Sequence, residues 1–72
     1  MDGYEELANA VILLAVRDYR TARKRLRKHP NDHYAESEIH RCERFFKGPV
    51  FEIYTNIDGP SLLRRLQEET DA

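Results

Sequence analysis

The residues best suited to metal chemistry are three histidines and the single cysteine, at positions 29, 33, 40 and 42. Structural zinc sites usually combine two ligand pairs at fixed, short spacings. Here His40 and Cys42 form a His-x-Cys pair, and the other two histidines lie well before it in the chain. This spacing matches no structural zinc site, so we predict neither a bound metal nor a cofactor.

Covalent catalysis by Cys42 would require a nearby histidine and a lowered thiol pKa. Cys42 instead shares helical spacing with Ile39 and Phe46, which predicts that it is buried as a small apolar residue. Ser61 follows Gly59 and Pro60 and is better explained by a turn. The chain has no glycine-rich phosphate loop and no distinct pair of carboxylates, so we expect a protein that is not an enzyme.

The strongest charge pattern is a basic segment at residues 17–28. It holds seven of the twelve lysines and arginines, opposed only by Asp18, although the chain has a net charge of -1. Such a surface is suited to nucleic acid or to a protein partner, and an aromatic side chain within it adds a stacking contact. The simpler alternative is a solvated helix face whose cations stabilise the end of the helix dipole. The predicted partner-binding residues are Arg17, Tyr19, Arg20, Arg23, Lys24, Arg27 and Lys28.

The basic segment is the second half of a long helix that we predict over residues 4–28. Asp2, Glu5 and Glu6 lie at its start, where negative charge stabilises the helix dipole. Residues 10–16 are apolar on nearly every face of the helix. One apolar stripe continues through the basic half as a heptad pattern in which alanine alternates with a larger residue: Ala8, Ile12, Ala15, Tyr19, Ala22 and Leu26.

A second helix is predicted over residues 33–47. Pro30 ends the first helix, and Asn31 or Asp32 is placed to cap the second. The second helix repeats the alternation of small and large apolar residues. Two matched patterns joined by a short turn predict an antiparallel helical hairpin. The members of the second pattern are Ala35, Ile39, Cys42 and Phe46.

The segment at residues 50–57 is ambiguous between a helix and a strand. Its β-branched and aromatic residues suit a strand, but a strand would have no partner in this chain, so we predict a short helix. A turn at residues 58–61 then leads into a last helix that ends near Glu69. The sequence therefore predicts one all-α domain, residues 1–72. It consists of a long antiparallel helical hairpin and one or two short C-terminal helices that pack on the first half of the first helix.

The size of the chain indicates that it associates with a partner. A domain of 72 residues buries only about 60% of its unfolded surface, and the apolar segment at residues 10–16 exceeds what the short helices can cover. We therefore expect a homodimer. The predicted core and dimer residues are Val11, Ile12, Leu13, Leu14 and Val16.

The sequence also indicates a cytoplasmic protein. A single cysteine excludes an internal disulfide, and the N-terminus lacks the basic-then-apolar order of a signal peptide. The apolar run is far shorter than the roughly 20 residues that a membrane span requires. We expect no membrane association and no small-molecule substrate.

Five segments that together cover much of the chain carry a family resemblance: Ala10-Val11-Ile12-Leu13, Val16-Arg17-Asp18-Tyr19, Lys28-His29-Pro30-Asn31-Asp32, Glu43-Arg44-Phe45-Phe46 and Ile57-Asp58-Gly59-Pro60-Ser61-Leu62-Leu63. Their pattern resembles small uncharacterised helical proteins encoded by phages and prophages of Gram-positive bacteria. The resemblance implies a phage-borne accessory protein in the host cytoplasm that acts on nucleic acid or on a host protein that handles it. It implies no catalytic residues.

These observations favour a binding protein over an enzyme. We expect a protein that binds and modulates or inhibits a host protein, in the manner of a counter-defence protein. The alternative is a small dimeric DNA- or RNA-binding protein that uses the basic half of the first helix. A net charge near zero and acidic chain ends weigh slightly against general nucleic-acid binding, because neutralising phosphates usually requires an excess of lysine and arginine.

Overall fold

The computed structural model describes residues 3–71, with side chains for residues 9–69, and contains four helices in that part of the chain. The first two have the predicted bounds to within one residue. No strand occurs among the described residues, so the all-α prediction is confirmed and the ambiguous segment is helical. The helices are α1 (Gly3–Lys28), α2 (His33–Lys47), α3 (Pro49–Tyr54) and α4 (Gly59–Asp71).

Asp32 connects the two helices of the hairpin at its turn. Its Oδ1 accepts a hydrogen bond of 3.1 Å from the backbone N–H of Ala35, which caps α2, and its Oδ2 lies 2.5 Å from Nε of Arg25 in the last turn of α1. The hydrogen bond from Ala35, with a further contribution from Arg25, lowers the pKa of this carboxyl. The sequence predicted the cap, and the structure assigns it to Asp32.

The heptad patterns of α1 and α2 face each other across the hairpin. The buried residues of α2 are the four predicted ones, at positions 35, 39, 42 and 46. In α1, Ile12, Tyr19 and Ala22 are buried, while Ala15 and Leu26 are partly buried against them. We call these five residues of α1 the inner heptad. The predicted member Ala8 lies outside the side chains that the structure describes.

The two short helices close the core from the other side of the hairpin. Phe51 of α3 is fully buried, and its ring centroid lies 5.7 Å from that of Phe46 on α2. Leu63 and Leu66 of α4 join the same cluster. α4 packs against both α1 and α2, and its last described side chain, Glu69, reaches Arg20 in the second half of α1. The C-terminal helices therefore complete the core, and α4 extends beyond the first half of α1 on which it was predicted to pack.

Gly59 allows α4 to begin in direct contact with the end of α2. The residue is buried, and a Cβ atom placed on it would overlap the carbonyl oxygen of Phe46 and lie 3.1 Å from Cδ1 of Phe51. Any larger residue at this position would push α4 away from the core. The close approach of two backbones therefore requires glycine here.

Several large apolar side chains remain on the surface. Leu13 is 67% exposed, Leu14 49% and Ile53 80%. Within the described part of the chain, every helix is too short or too polar to cross a lipid bilayer.

We predict that Gly59→Ala destabilises the protein, because the added methyl group has no space beside the Phe46 carbonyl. The expected loss is about 1–3 kcal/mol, equivalent to a decrease in Tm of roughly 5 °C or more. Thermal unfolding followed by circular dichroism measures it. Asn56→Ala, at an exposed position in the same connection, is the control and should leave the Tm nearly unchanged. An unchanged Tm for Gly59→Ala would contradict the close approach.

Candidate binding surface on helix α1

The seven predicted partner-binding residues of α1 lie in three different environments. Tyr19 is buried. Arg20 and Arg23 make contacts within the chain. The other four are exposed and form no ion pair with any side chain from residue 9 to residue 69: Arg17, Lys24, Arg27 and Lys28. We call these four residues the basic surface.

Tyr19 is not a surface aromatic residue, and this part of the sequence prediction was wrong. Its side chain is 0% exposed, and its ring packs edge-on against Phe46 with 6.1 Å between centroids. The cause is its place in the inner heptad, since a large residue of that pattern must face α2. A residue that fills the hairpin core cannot also contact an external partner.

The hydroxyl of Tyr19 is satisfied inside the protein. It donates a hydrogen bond of 2.9 Å to Oε2 of Glu43, which also accepts one of 3.4 Å from Nε2 of Gln67. Burial raises the pKa of the Tyr19 phenol above its usual value of 10.0. Sequence reasoning missed this network. The available signal was the position of Glu43, which lies one turn from both Ile39 and Phe46 at the edge of the buried pattern of α2.

Arg23 covers the exposed edge of the same network. Its Nη1 donates a hydrogen bond of 3.4 Å to the Tyr19 hydroxyl, and its guanidinium carbon lies 5.6 Å from the centroid of the Tyr19 ring. This geometry is that of a cation–π contact. Arg23 therefore acts mainly within the fold.

Arg20 is held by α4. Its Nη2 lies 2.8 Å from Oε1 of Glu69 and its Nε 3.1 Å from Oε2, so the guanidinium contacts both carboxylate oxygens. Both side chains are about half exposed, which limits such a pair to about 1 kcal/mol or less. Arg25, between the predicted residues, is likewise paired with Asp32. The arginines with acidic neighbours therefore connect the helices of this chain.

The predicted core and dimer residues also differ from one another in burial. Ile12 is buried, whereas Val11 and Val16 are partly buried at the edges of the core. Leu13 and Leu14 are exposed, and Leu14 lies at the edge of a groove between α1 and α2. The prediction that the short helices cannot cover every face of this segment is confirmed by the exposure of these two leucines. Dimerisation itself stays a prediction.

Cys42 is buried in the hairpin core. Burial, and secondly the nearby carboxylates of Glu38 and Asp18, raise the pKa of its thiol above 9.0. The reactive thiolate is therefore disfavoured at this position. Within residues 9–69, no three histidine, cysteine or acidic side chains are grouped closely enough to hold a metal ion.

Comparisons with protein-family models, with curated proteins and with solved structures find no match to this chain.

We predict that Tyr19→Phe changes how stability depends on pH. A phenol whose pKa is raised on folding stabilises the protein below pH 10.0 and loses that contribution as the pH rises through the folded pKa. The variant lacks the hydroxyl, so it should lose less stability than the wild type at alkaline pH. At neutral pH it should be less stable by about 1 kcal/mol, because the hydrogen bond to Glu43 is removed.

Urea unfolding at neutral and at alkaline pH tests this prediction. Tyr34→Phe, at a residue that is 69% exposed, is the control and should follow the wild type at every pH. An equal loss of stability at alkaline pH in Tyr19→Phe and the wild type would contradict it.

Proposed function

We propose that the protein is a non-enzymatic binding protein whose basic surface contacts an acidic surface on a partner protein. The observation that supports the proposal is that the cations of α1 fall into two groups. Arg20, Arg23 and Arg25 contact groups within the chain, whereas the four residues of the basic surface extend into solvent without a described acidic partner. Fixed cations on a rigid helix attract an oppositely charged partner and orient it.

A protein partner fits this surface better than nucleic acid. The distinction rests on the overall charge of the chain. Interfaces with nucleic acid are more uniformly positive, and the net charge of this chain is -1.

Nucleic-acid binding is the second candidate function. Seven of the twelve lysines and arginines lie within residues 17–28 of α1, and most of these seven are exposed. Such a cluster binds phosphates through its charge alone, without contacts to the bases. In this case the protein is a small dimeric DNA- or RNA-binding protein.

The biological setting is also part of the proposal. Its support is the resemblance of the sequence patterns to phage and prophage proteins of Gram-positive bacteria. In that setting the protein acts in the host cytoplasm and modulates or inhibits a host protein, such as one that handles nucleic acid or serves in defence.

The proposal predicts that Arg27→Glu/Lys28→Glu weakens partner binding. Reversing two charges at the end of the basic surface should reduce the amount of captured protein at least about tenfold, since each close charge pair contributes on the order of 1 kcal/mol or more. The control is Arg64→Glu/Arg65→Glu, which reverses two adjacent exposed cations on α4 and should retain capture. Circular dichroism verifies that both variants keep their helices.

Two assays with the same variants distinguish the candidate functions. In one, tagged protein captures partners from a lysate of a Gram-positive bacterium. In the other, random duplex and single-stranded nucleic acid are tested by gel shift at low and moderate salt. Salt-sensitive binding that only Arg27→Glu/Lys28→Glu abolishes makes nucleic acid the ligand. No gel shift, together with partners lost only in that variant, supports the protein partner. Equal capture by both variants contradicts a role for the basic surface.

A further inference from the structure

The exposed side of α1 carries a second heptad pattern, on the opposite side of the helix from the inner heptad. All of its described members are exposed. Its N-terminal part is small or apolar and its C-terminal part is mostly basic. We call it the outer heptad: Ala10, Leu14, Arg17, Thr21, Lys24 and Lys28, with Leu13 beside Leu14. A heptad of this kind is the surface on which a second helix packs.

The described part of the chain leaves the outer heptad exposed, although Leu14 and Thr21 line grooves between α1 and α2. α2 contacts the sides of α1 that include Ala15 and Ala22, and α4 is attached on the side of Arg20. Leu13 and Leu14 therefore stay exposed at the middle of a helix that is about 39 Å long. Two adjacent exposed leucines form an apolar patch, and the centre of a protein interface is usually apolar.

The charges along α1 indicate what covers this surface. Three of the first six residues are acidic, whereas residues 17–28 hold seven cations. A second α1 in the antiparallel direction brings the acidic start of each copy beside the basic part of the other. A parallel arrangement would place like charges together. Charge complementarity along the helix thus favours a second copy of this chain in the antiparallel direction.

A two-fold axis between positions 13 and 14 fixes the register of the two helices. Leu13 then faces Leu14 of the partner subunit, and Ala10 faces the partner's Arg17. Position 6, which is glutamate, comes opposite position 21 of the other copy, one helical turn from both Arg17 and Lys24. In this one register the leucines meet at the centre, and positions of opposite charge lie beside each other at both ends.

This overlap is long enough for a stable interface. It covers residues 3–24, about 32 Å of helix, or roughly three-quarters of the 43 Å length of the molecule. A standard interface buries about 800 Å² on each partner, roughly one-seventh of the 5547 Å² accessible surface of this chain. Contact along most of the length of the molecule buries an area of about that size.

We propose that two copies associate through the outer heptads of α1, antiparallel, with Leu13 and Leu14 at the two-fold axis. In this dimer Arg17 and Lys24 lie beside the first turns of the partner copy's α1, where the sequence is acidic. Arg27 and Lys28 extend beyond it and remain open at each end. The dimer covers Arg17 and Lys24, so Arg27 and Lys28 are the part of the basic surface that it leaves to the partner of the proposed function. These two residues are the ones that test that function, so failure of one proposal is distinguishable from failure of the other.

The first test is the mass of the particle in solution, measured by light scattering after size exclusion at micromolar concentrations. The wild type should have twice the mass of the 8.5 kDa chain. Leu13→Gln/Leu14→Gln should weaken association at least about tenfold. The matched control is Val50→Gln/Ile53→Gln, which changes two apolar residues on α3 that are at least half exposed and should remain dimeric. A monomeric wild type, or a dimer lost only in the α3 variant, would overturn the proposal.

The second test exchanges charges between the two flanks. Arg17→Glu/Lys24→Glu and Glu6→Lys should each weaken the homodimer about tenfold at low salt, since each brings like charges together at both ends. A mixture of the two variants should form a heterodimer of wild-type strength, because every charged pair is then restored. If both variants dimerise like the wild type and mixing changes nothing, the antiparallel register is wrong.

Discussion

The burial of Tyr19 holds the three main helices together. Its ring fills the space between α1 and Phe46 of α2, and its hydroxyl donates to Glu43, which in turn accepts a hydrogen bond from Gln67 of α4. A phenol can be fully buried only when its hydroxyl has a partner, so the aromatic packing and the polar network require each other. Together they fix the rotation of α1 about its axis. That rotation decides which cations and which leucines are left on the surface.

Much of the fold was predictable because its signals are local. Pro30 and the Asp32 cap set the hairpin turn, and the alternation of alanine with larger residues identified the faces that meet. The path of α4 was less predictable, because it depends on contacts between distant parts of the chain. Gly59 packs on the backbone of Phe46, and Glu69 reaches Arg20 across 49 residues. Neither contact leaves a periodic pattern in the sequence.

The candidate surface was predictable in part for the same reason. Arg17 and Lys24 are exposed because they lie opposite the inner heptad, which the spacing of apolar residues had already defined. Tyr19 fitted two patterns at once, the heptad and the basic segment, and burial of its large apolar ring outweighed a place in solvent. The pairing of Arg20 with Glu69 required knowledge of where α4 lies, so the number of open cations was overestimated.

The charge distribution along α1 also gives this helix an electric dipole moment of its own. The peptide groups of a helix contribute only about half an elementary charge at each end, positive at the start. Three acidic residues near that start and seven cations in the second half exceed this contribution and reverse its direction. Considered by itself, α1 therefore has its positive end at the C-terminus. Added salt screens the attraction between that end and any negatively charged surface.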